Sequence, residues 1–200
     1  MGSEMCIRDR VSFFLGPVPY TMQNVGIVLV GLLLPPRNAV YSQLLYMFLI
    51  ALGLPMASGF RGGLHILLGY TGGYIAGFPI ASFLMSVFTR FYLRRKSIKL
   101  YSIGLRDFAS LLCFSAIAVL PVYLLGFLVF TYYALLDSKL FLWASNIANI
   151  VGGSGNKILT LFIATVAVFA PQDLLMDHVV AISVAEMVTM YLENRGVVFE

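Results

Sequence analysis

The apolar and polar positions of this chain fall into long neutral blocks separated by short charged stretches. Residues 11–36, 38–60 and 108–136 contain no Asp, Glu, Lys, Arg or His, and residues 62–89 contain only His65. Each block can hold the roughly 20 apolar residues that cross a bilayer core as a helix. Hydrocarbon offers no partner to backbone N–H and C=O groups, so such blocks are predicted to be helices. The alternation of a membrane barrel is absent.

Proline, glycine and charge divide the blocks further. Val11–Leu15 reads as the stub of a helix, and Pro17 and Pro19 interrupt it. A helix is predicted from about Thr21 to Leu34, ended by Pro35-Pro36, with Arg37 and Asn38 as a tight turn. A second runs from there to about Leu54, and a glycine-rich connection follows, LPMASGFRGGLHILLGYTGG. Helices are then expected over about Thr71–Leu93, ended by RRKSIK, and over about Leu105–Tyr133, kinked at Pro121. An interfacial helix is placed near Phe141–Val151, an apolar run at Ile158–Ala170, and a last helix from near Pro171 to near Leu192.

Composition fixes the solvent. The chain is 60% hydrophobic and 11% charged, with a mean hydropathy of +0.92. A soluble domain is about a quarter charged. An all-α membrane protein is therefore expected, with residues 11–200 as a single membrane-embedded domain. Met1–Arg10 is too polar to cross a membrane and reads as a non-native leader. Cys6 and Cys113 suggest neither a disulfide framework nor a metal site.

Lysines and arginines are held on the cytoplasmic side of membrane proteins. One grouping puts Arg37, Arg90, Arg94, Arg95, Lys96, Lys99, Arg106 and Arg195 inside and only Arg61, Lys139 and Lys157 outside. The net charge of +4 thus reflects orientation and not affinity for nucleic acid. The glycine-rich connection and the start of the last helix then face outward.

Charges within apolar segments cost roughly 2.5–3.5 kcal/mol each at a helix centre, so the few present are informative. Asp173 and Asp177, four apart, share a helix face. Asp173 follows Pro171 in the first turn, where free N–H groups favour an anion, so capping competes with ligand contact. Asp177 is expected to face the outer water layer. His65 and His178 lack ligand spacing and read as interfacial or packing residues. GGSGNK at Gly152–Lys157 lacks the spacing of a phosphate loop, and Gly-x-Ser-x-Gly is absent. Nothing here points to an enzyme, a cofactor or a metal. Gly69, Gly73, Gly77 and Ala81 recur every four residues and are expected to admit a neighbouring helix closely.

Six blocks together resemble the BioY family, the biotin-specific S components of energy-coupling factor (ECF) transporters. They are GPVPYTMQN at Gly16–Asn24, GLLLPPR at Gly31–Arg37, LLYMFLIALGLPMASGF at Leu44–Phe60, LLGYTGGYIAGF at Leu67–Phe78, VYLLG at Val122–Gly126 and FAPQDLL at Phe169–Leu175. The resemblance implies a transmembrane bundle of the ECF S-component type, with six helices in the family and the first largely missing here. It implies capture of biotin at the outer side of the membrane. The implied partners are a transmembrane coupling protein and cytoplasmic ATPases, in a multi-pass protein of the bacterial cell (inner) membrane.

By motif, the family's ligand positions fall on Arg61, Ile75, Asp173 and Met176, with Tyr74, Gln23 and Asn24 in matching blocks. Asp173 would accept from the ureido N–H groups of biotin. Met176 stands where the family usually has lysine in G-D-x-x-K, which makes Arg61 the candidate cation for the biotin carboxylate. The stretch between Gly126 and Pro171 is longer than the family's and has no assigned role. Two alternatives follow from these departures: an S component for another small molecule, and a non-transporting membrane interaction protein.

Overall fold

A computed structural model describes residues 23–152 and 155–196, together with the backbone of residues 13–14 and 19–20. The leader at Met1–Arg10 lies outside the described residues, as does most of the Val11–Leu15 stub. Its described part, Phe13–Phe14 (β1), is not helical but pairs antiparallel with Pro19–Tyr20 (β2). Aromatic residues favour the extended chain, and a proline N–H is not missed at the edge of so short a pair.

Everything else with regular structure among the described residues is helical. α1 is Gln23–Leu33, α2 Pro36–Ala51, α3 Leu64–Leu67 and α4 Gly72–Lys96. A 3₁₀ turn at Leu100–Ser102 leads to α5, Leu105–Ala118, and α6, Leu120–Leu136. α7 is Ser138–Ile150 and α8 Lys157–Phe162. A π turn at Ile163–Ala167, the short α9 at Ala170–Asp173 and a second π turn at Leu174–His178 then lead to α10, Val179–Glu193.

Several boundaries differ from expectation for identifiable reasons. Pro36 starts α2, so Arg37 and Asn38 lie in its first turn and do not form a separate one. Proline suits that position, because its fixed φ is helical and its missing N–H would have no partner there. α2 stops at Ala51, before Gly53 at φ +93°, the left-handed position that commonly closes a helix. Arg94, Arg95 and Lys96 do not follow α4 but form its last turn, where cations complement the helix dipole. The kink expected at Pro121 is a break at Val119 between α5 and α6. Asp137 caps α7 by accepting from the Lys139 N–H at 2.9 Å, which starts that helix three residues early.

Among the described residues, three stretches are long and apolar enough to cross a membrane: Gly72–Lys96, Leu105–Leu136 and Lys157–Glu193. The chain divides into two compact units. The first holds Leu45–Gly77 and Val122–Pro171 with the two short strands, and the second holds residues 23–44, Phe78–Pro121 and 172–196.

The core of the first unit is Phe130, Ala134, Ala144, Leu161, Ala164 and Phe169, flanked by Tyr70, Phe127 and Trp143. Phe130 meets Tyr70 and Trp143 edge-to-face at centroid distances of 6.1 and 5.8 Å. The long segment after Gly126 therefore builds this core. Gly73 and Gly77 set the close approach of α4 to α6. A Cβ on Gly73 would overlap the Leu125 carbonyl, and one on Gly77 would lie 2.6 Å from Val122 Cα. Gly69, by contrast, precedes α4 and is not on the stripe, since the chain turns at Gly69–Thr71 before the helix begins at Gly72.

In the second unit α10 packs on α1, and α5 packs on the second π turn. Ile27, Val28, Ala81, Met85, Ala181, Ile182 and Ala185 are buried there. Lipid is as apolar as these side chains, so close van der Waals contact between helices holds them together. Gly31 fits against Met85, whose Cβ would lie 2.6 Å from an added methyl.

Candidate functional site

Asn24 lies in α1, close to the first described residue of that helix, with only 8% of its surface exposed. The helical path restarts at Ala170 after a turn at Val168–Phe169, which places Asp173 in a first turn, 6% exposed. Within the second unit these two side chains meet. Asn24 Nδ2 donates to Asp173 Oδ2 at 2.6 Å, a buried contact between residues 149 positions apart. Hydrogen bonds to a charged acceptor contribute roughly 1.5–3 kcal/mol, and the cost of leaving a buried carboxylate unsatisfied is larger still. The amide therefore fixes the carboxylate in one orientation. A carboxylate accepts through about four lone-pair sites. Such a group can receive N–H donors from a polar ligand that lacks positive charge.

Next along the chain is the π turn Leu174–His178, a geometry that recurs at functional sites. Asp177 does not face an outer water layer: it is 0% exposed. The widened turn carries both it and His178 into the interior. His178 is 1% exposed, and its Nδ1 lies 2.9 Å from Ser115 Oγ on α5. The packing role expected of His178 agrees with this burial, but its serine partner was not foreseen. Gln23 is half-buried and Met176 is 55% exposed.

Arg61, Tyr74 and Ile75 belong to the first unit. Arg61 sits in a tight loop in which Ala57 N–H donates to Arg61 O at 2.9 Å, with Gly59 at φ +70° and Phe60 at φ +53°. Its Nε donates to Ser58 O at 3.2 Å, so one edge of the guanidinium is used to hold the loop. Tyr74 is held by two contacts within this unit. Its ring fills the space over Gly126, and its hydroxyl donates to Thr165 O at 3.1 Å. Thr165 lies in the first π turn, where the helical ladder is locally broken and a carbonyl needs another donor. Ile75 is 5% exposed. The GGSGNK segment falls partly outside the described residues, and no group of His, Cys, Asp and Glu among the described residues could hold a metal.

Of the seven candidate residues, then, Asn24 and Asp173 are brought into direct contact. Sequence reading named both but not their pairing, because nothing local relates residues so far apart. The polar positions Ser82, Ser86, Thr89 and Arg90 were passed over, although their three-to-four spacing marks one face of α4.

The profile of the BioY family matches residues 5–193. The chain belongs to the BioY family. A probable biotin transporter BioY of Pyrococcus horikoshii is 48% identical over 78 residues, which are 39% of this chain and 48% of that protein. A probable biotin transporter BioY of Bacillus subtilis is 41% identical over 71 residues, 36% of this chain and 38% of the relative. The biotin transporter BioY of Thermotoga maritima is 36% identical over 77 residues, 38% of this chain and 46% of the relative. The chain thus aligns with less than half the length of each of these proteins. A crystal structure of the S-component for biotin from an ECF-type ABC transporter superposes with a TM-score of 0.61 at 22% identity, over 86% of this chain and 76% of that one. At that identity the likeness carries the fold, which is the helical S-component fold. As a BioY family member with stretches long and apolar enough to span a bilayer, the chain is a membrane protein.

Proposed function

We propose that this BioY family chain captures biotin at the outer side of a cell membrane, as the substrate-binding subunit of an ECF-type transporter. In this reading it is a multi-pass protein that works with a transmembrane coupling protein and cytoplasmic ATPases. The observation that carries the proposal is the buried Asn24–Asp173 pair, built from two of the six family blocks. A fixed carboxylate suits the ureido N–H groups of biotin, and the apolar chain around it suits the fused rings. Arg61, Tyr74, Ile75, Gln23 and Met176 enter as ligand positions through their place in the family motifs.

The test is calorimetric titration of purified protein with biotin. Asp173→Ala should weaken binding by the worth of a charge-assisted hydrogen bond, roughly 10- to 150-fold. A folded protein that releases no heat and retains no labelled biotin would overturn the proposal. Met176, where the family usually has lysine, favours a second reading in which another small molecule is the ligand. Competition by other vitamins and biotin precursors decides between the two. Failure of all of them leaves the non-transporting interaction protein.

A further inference from the structure

The second unit contains a cavity of about 290 Å³ that the biotin proposal does not use. It lies where the last turn of α4 and the following Ser97–Tyr101 segment meet the ends of α1 and α10. At about 30 Å³ per water it has room for roughly ten waters, which is space for a phosphate group and the atoms next to it. Arg90, Arg94 and Lys99 line it against a single carboxylate, Glu193. That carboxylate is already engaged: Lys99 Nζ donates to it at 3.0 Å and Tyr101 OH at 3.1 Å. The same bond to Glu193 is the main cause that raises the Lys99 pKa, so this lysine stays charged.

Two arginines are left without a counter-charge among the described residues. Arg90 and Arg94 stand four apart on one face of α4, a spacing at which like charges repel. Arg90 is aimed by a relay, since its Nη1 donates to Ser86 Oγ at 2.5 Å and Ser86 Oγ to Leu34 O at 2.6 Å. The Arg94 side chain has no hydrogen-bond or ion-pair partner among the described residues. Thr89 also lines the cavity; it is 1% exposed, and its Oγ1 is buried without a hydrogen-bond partner. Buried hydroxyls are normally satisfied, so an orphan in the wall of a cationic cavity points to an absent acceptor.

We propose that this cavity binds a phosphate-bearing anion, the headgroup of an anionic phospholipid. Arg90 and Arg94 supply the charge and Thr89 a hydrogen bond. A soluble phosphate has the same chemistry, but the apolar wall of Leu33 and Leu93 beside the cations suits the glycerol and first acyl carbons of a lipid. The cavity also lies at the end of an apolar span that carries a basic cluster, where anionic headgroups collect.

Native mass spectrometry of the purified full chain, titrated with phosphatidylglycerol or phosphatidylcholine, tests the assignment. Phosphatidylglycerol should be retained in preference. Arg90→Gln and Arg94→Gln should each lower retention roughly fivefold, as expected for one arginine at an anionic surface. Thr89→Val should also lower it. Arg95→Gln removes the same charge from an exposed position outside the cavity and should leave retention within twofold. Equal losses from Arg94→Gln and Arg95→Gln, or equal retention of the two lipids, would overturn the site. Displacement of the lipid by millimolar inorganic phosphate with no lipid preference remaining would overturn the lipid as its source. Arg94 has no internal partner, so its variant should fold even if Arg90→Gln does not, which a thermal unfolding scan checks.

Discussion

A glycine packed against an aromatic ring gives a steric prediction, Gly126→Ala. Gly126 faces the ring of Tyr74, and an added Cβ would overlap the ring's Cδ1 and Cε1 atoms at distances no real Cβ adopts. The ring cannot slide freely, because its hydroxyl is tied to Thr165 O. Overpacking of this kind costs roughly 1–3 kcal/mol, and loss of the hydroxyl bond adds about 1 kcal/mol. Alanine also gains about 1 kcal/mol over glycine inside a helix, which offsets part of the loss. A net cost of roughly 1–3 kcal/mol remains, which lowers the unfolding midpoint by about 2–12 °C in a chain of this size. The assay is thermal unfolding in detergent alongside Gly26→Ala, at a helical glycine with nothing within 4 Å. That control should be neutral or stabilising. Tyr74→Leu combined with Gly126→Ala should be less destabilised than the sum of the single variants, the signature of a shared contact. A Gly126→Ala midpoint equal to that of Gly26→Ala would refute the reasoning.

Ser115→Ala removes the oxygen that faces buried His178 and should cost about 1–3 kcal/mol, read as a lower unfolding midpoint with unchanged helical content by circular dichroism. Gly31→Ala, which meets Met85 Cβ, should destabilise by roughly 1–3 kcal/mol in the same assay, although alanine is the better helix former. Asn24→Ala and Asp173→Ala should show a coupling energy above about 0.5 kcal/mol in a double-mutant cycle of unfolding, and additive effects would separate the pair.

What the sequence revealed and what it hid follow from the range of the forces involved. The neutral blocks and the basic run at Arg94–Lys96 located α4 and α5 because hydropathy and charge are local properties. Pro36 misled because proline ends a helix from within but starts one at its first position, and composition does not separate the two cases. The signal for α7 was present in Asp137, a capping residue directly before an amphipathic run, and was missed. Gly69 looked like part of a stripe because its spacing was right, but the turn before Gly72 breaks the helix that spacing assumes. Asp177 was expected in outer water although its spacing of four from Asp173 already put both on one face, and that face is buried. The Asn24–Asp173 contact joins distant segments, so the motifs could name its members but not their meeting.

In the second unit, polar chemistry is kept at two levels along the same helices. Asp173 and Glu193 are twenty positions apart, roughly 30 Å of helical rise, which matches a hydrocarbon core. Buried Asp177 and His178 lie close to the first level and buried Thr189 close to the second, while the buried side chains in the middle, Ala181, Ile182 and Ala185, are apolar. Two charged levels separated by that distance fit the two faces of a bilayer, and the level rich in arginine and lysine fits the cytoplasmic one. Asp173 would then be reached from outside. Single cysteines test this in a background with Cys6 and Cys113 replaced by serine. Gln172→Cys should react with a membrane-impermeant maleimide added to intact cells, whereas Arg95→Cys should react only after the membrane is opened. Both positions are exposed on the protein surface, so a lack of label on Arg95→Cys in intact cells reports the membrane and not burial. The reverse labelling pattern would put Asp173 on the cytoplasmic side, where it could not capture a vitamin arriving from outside.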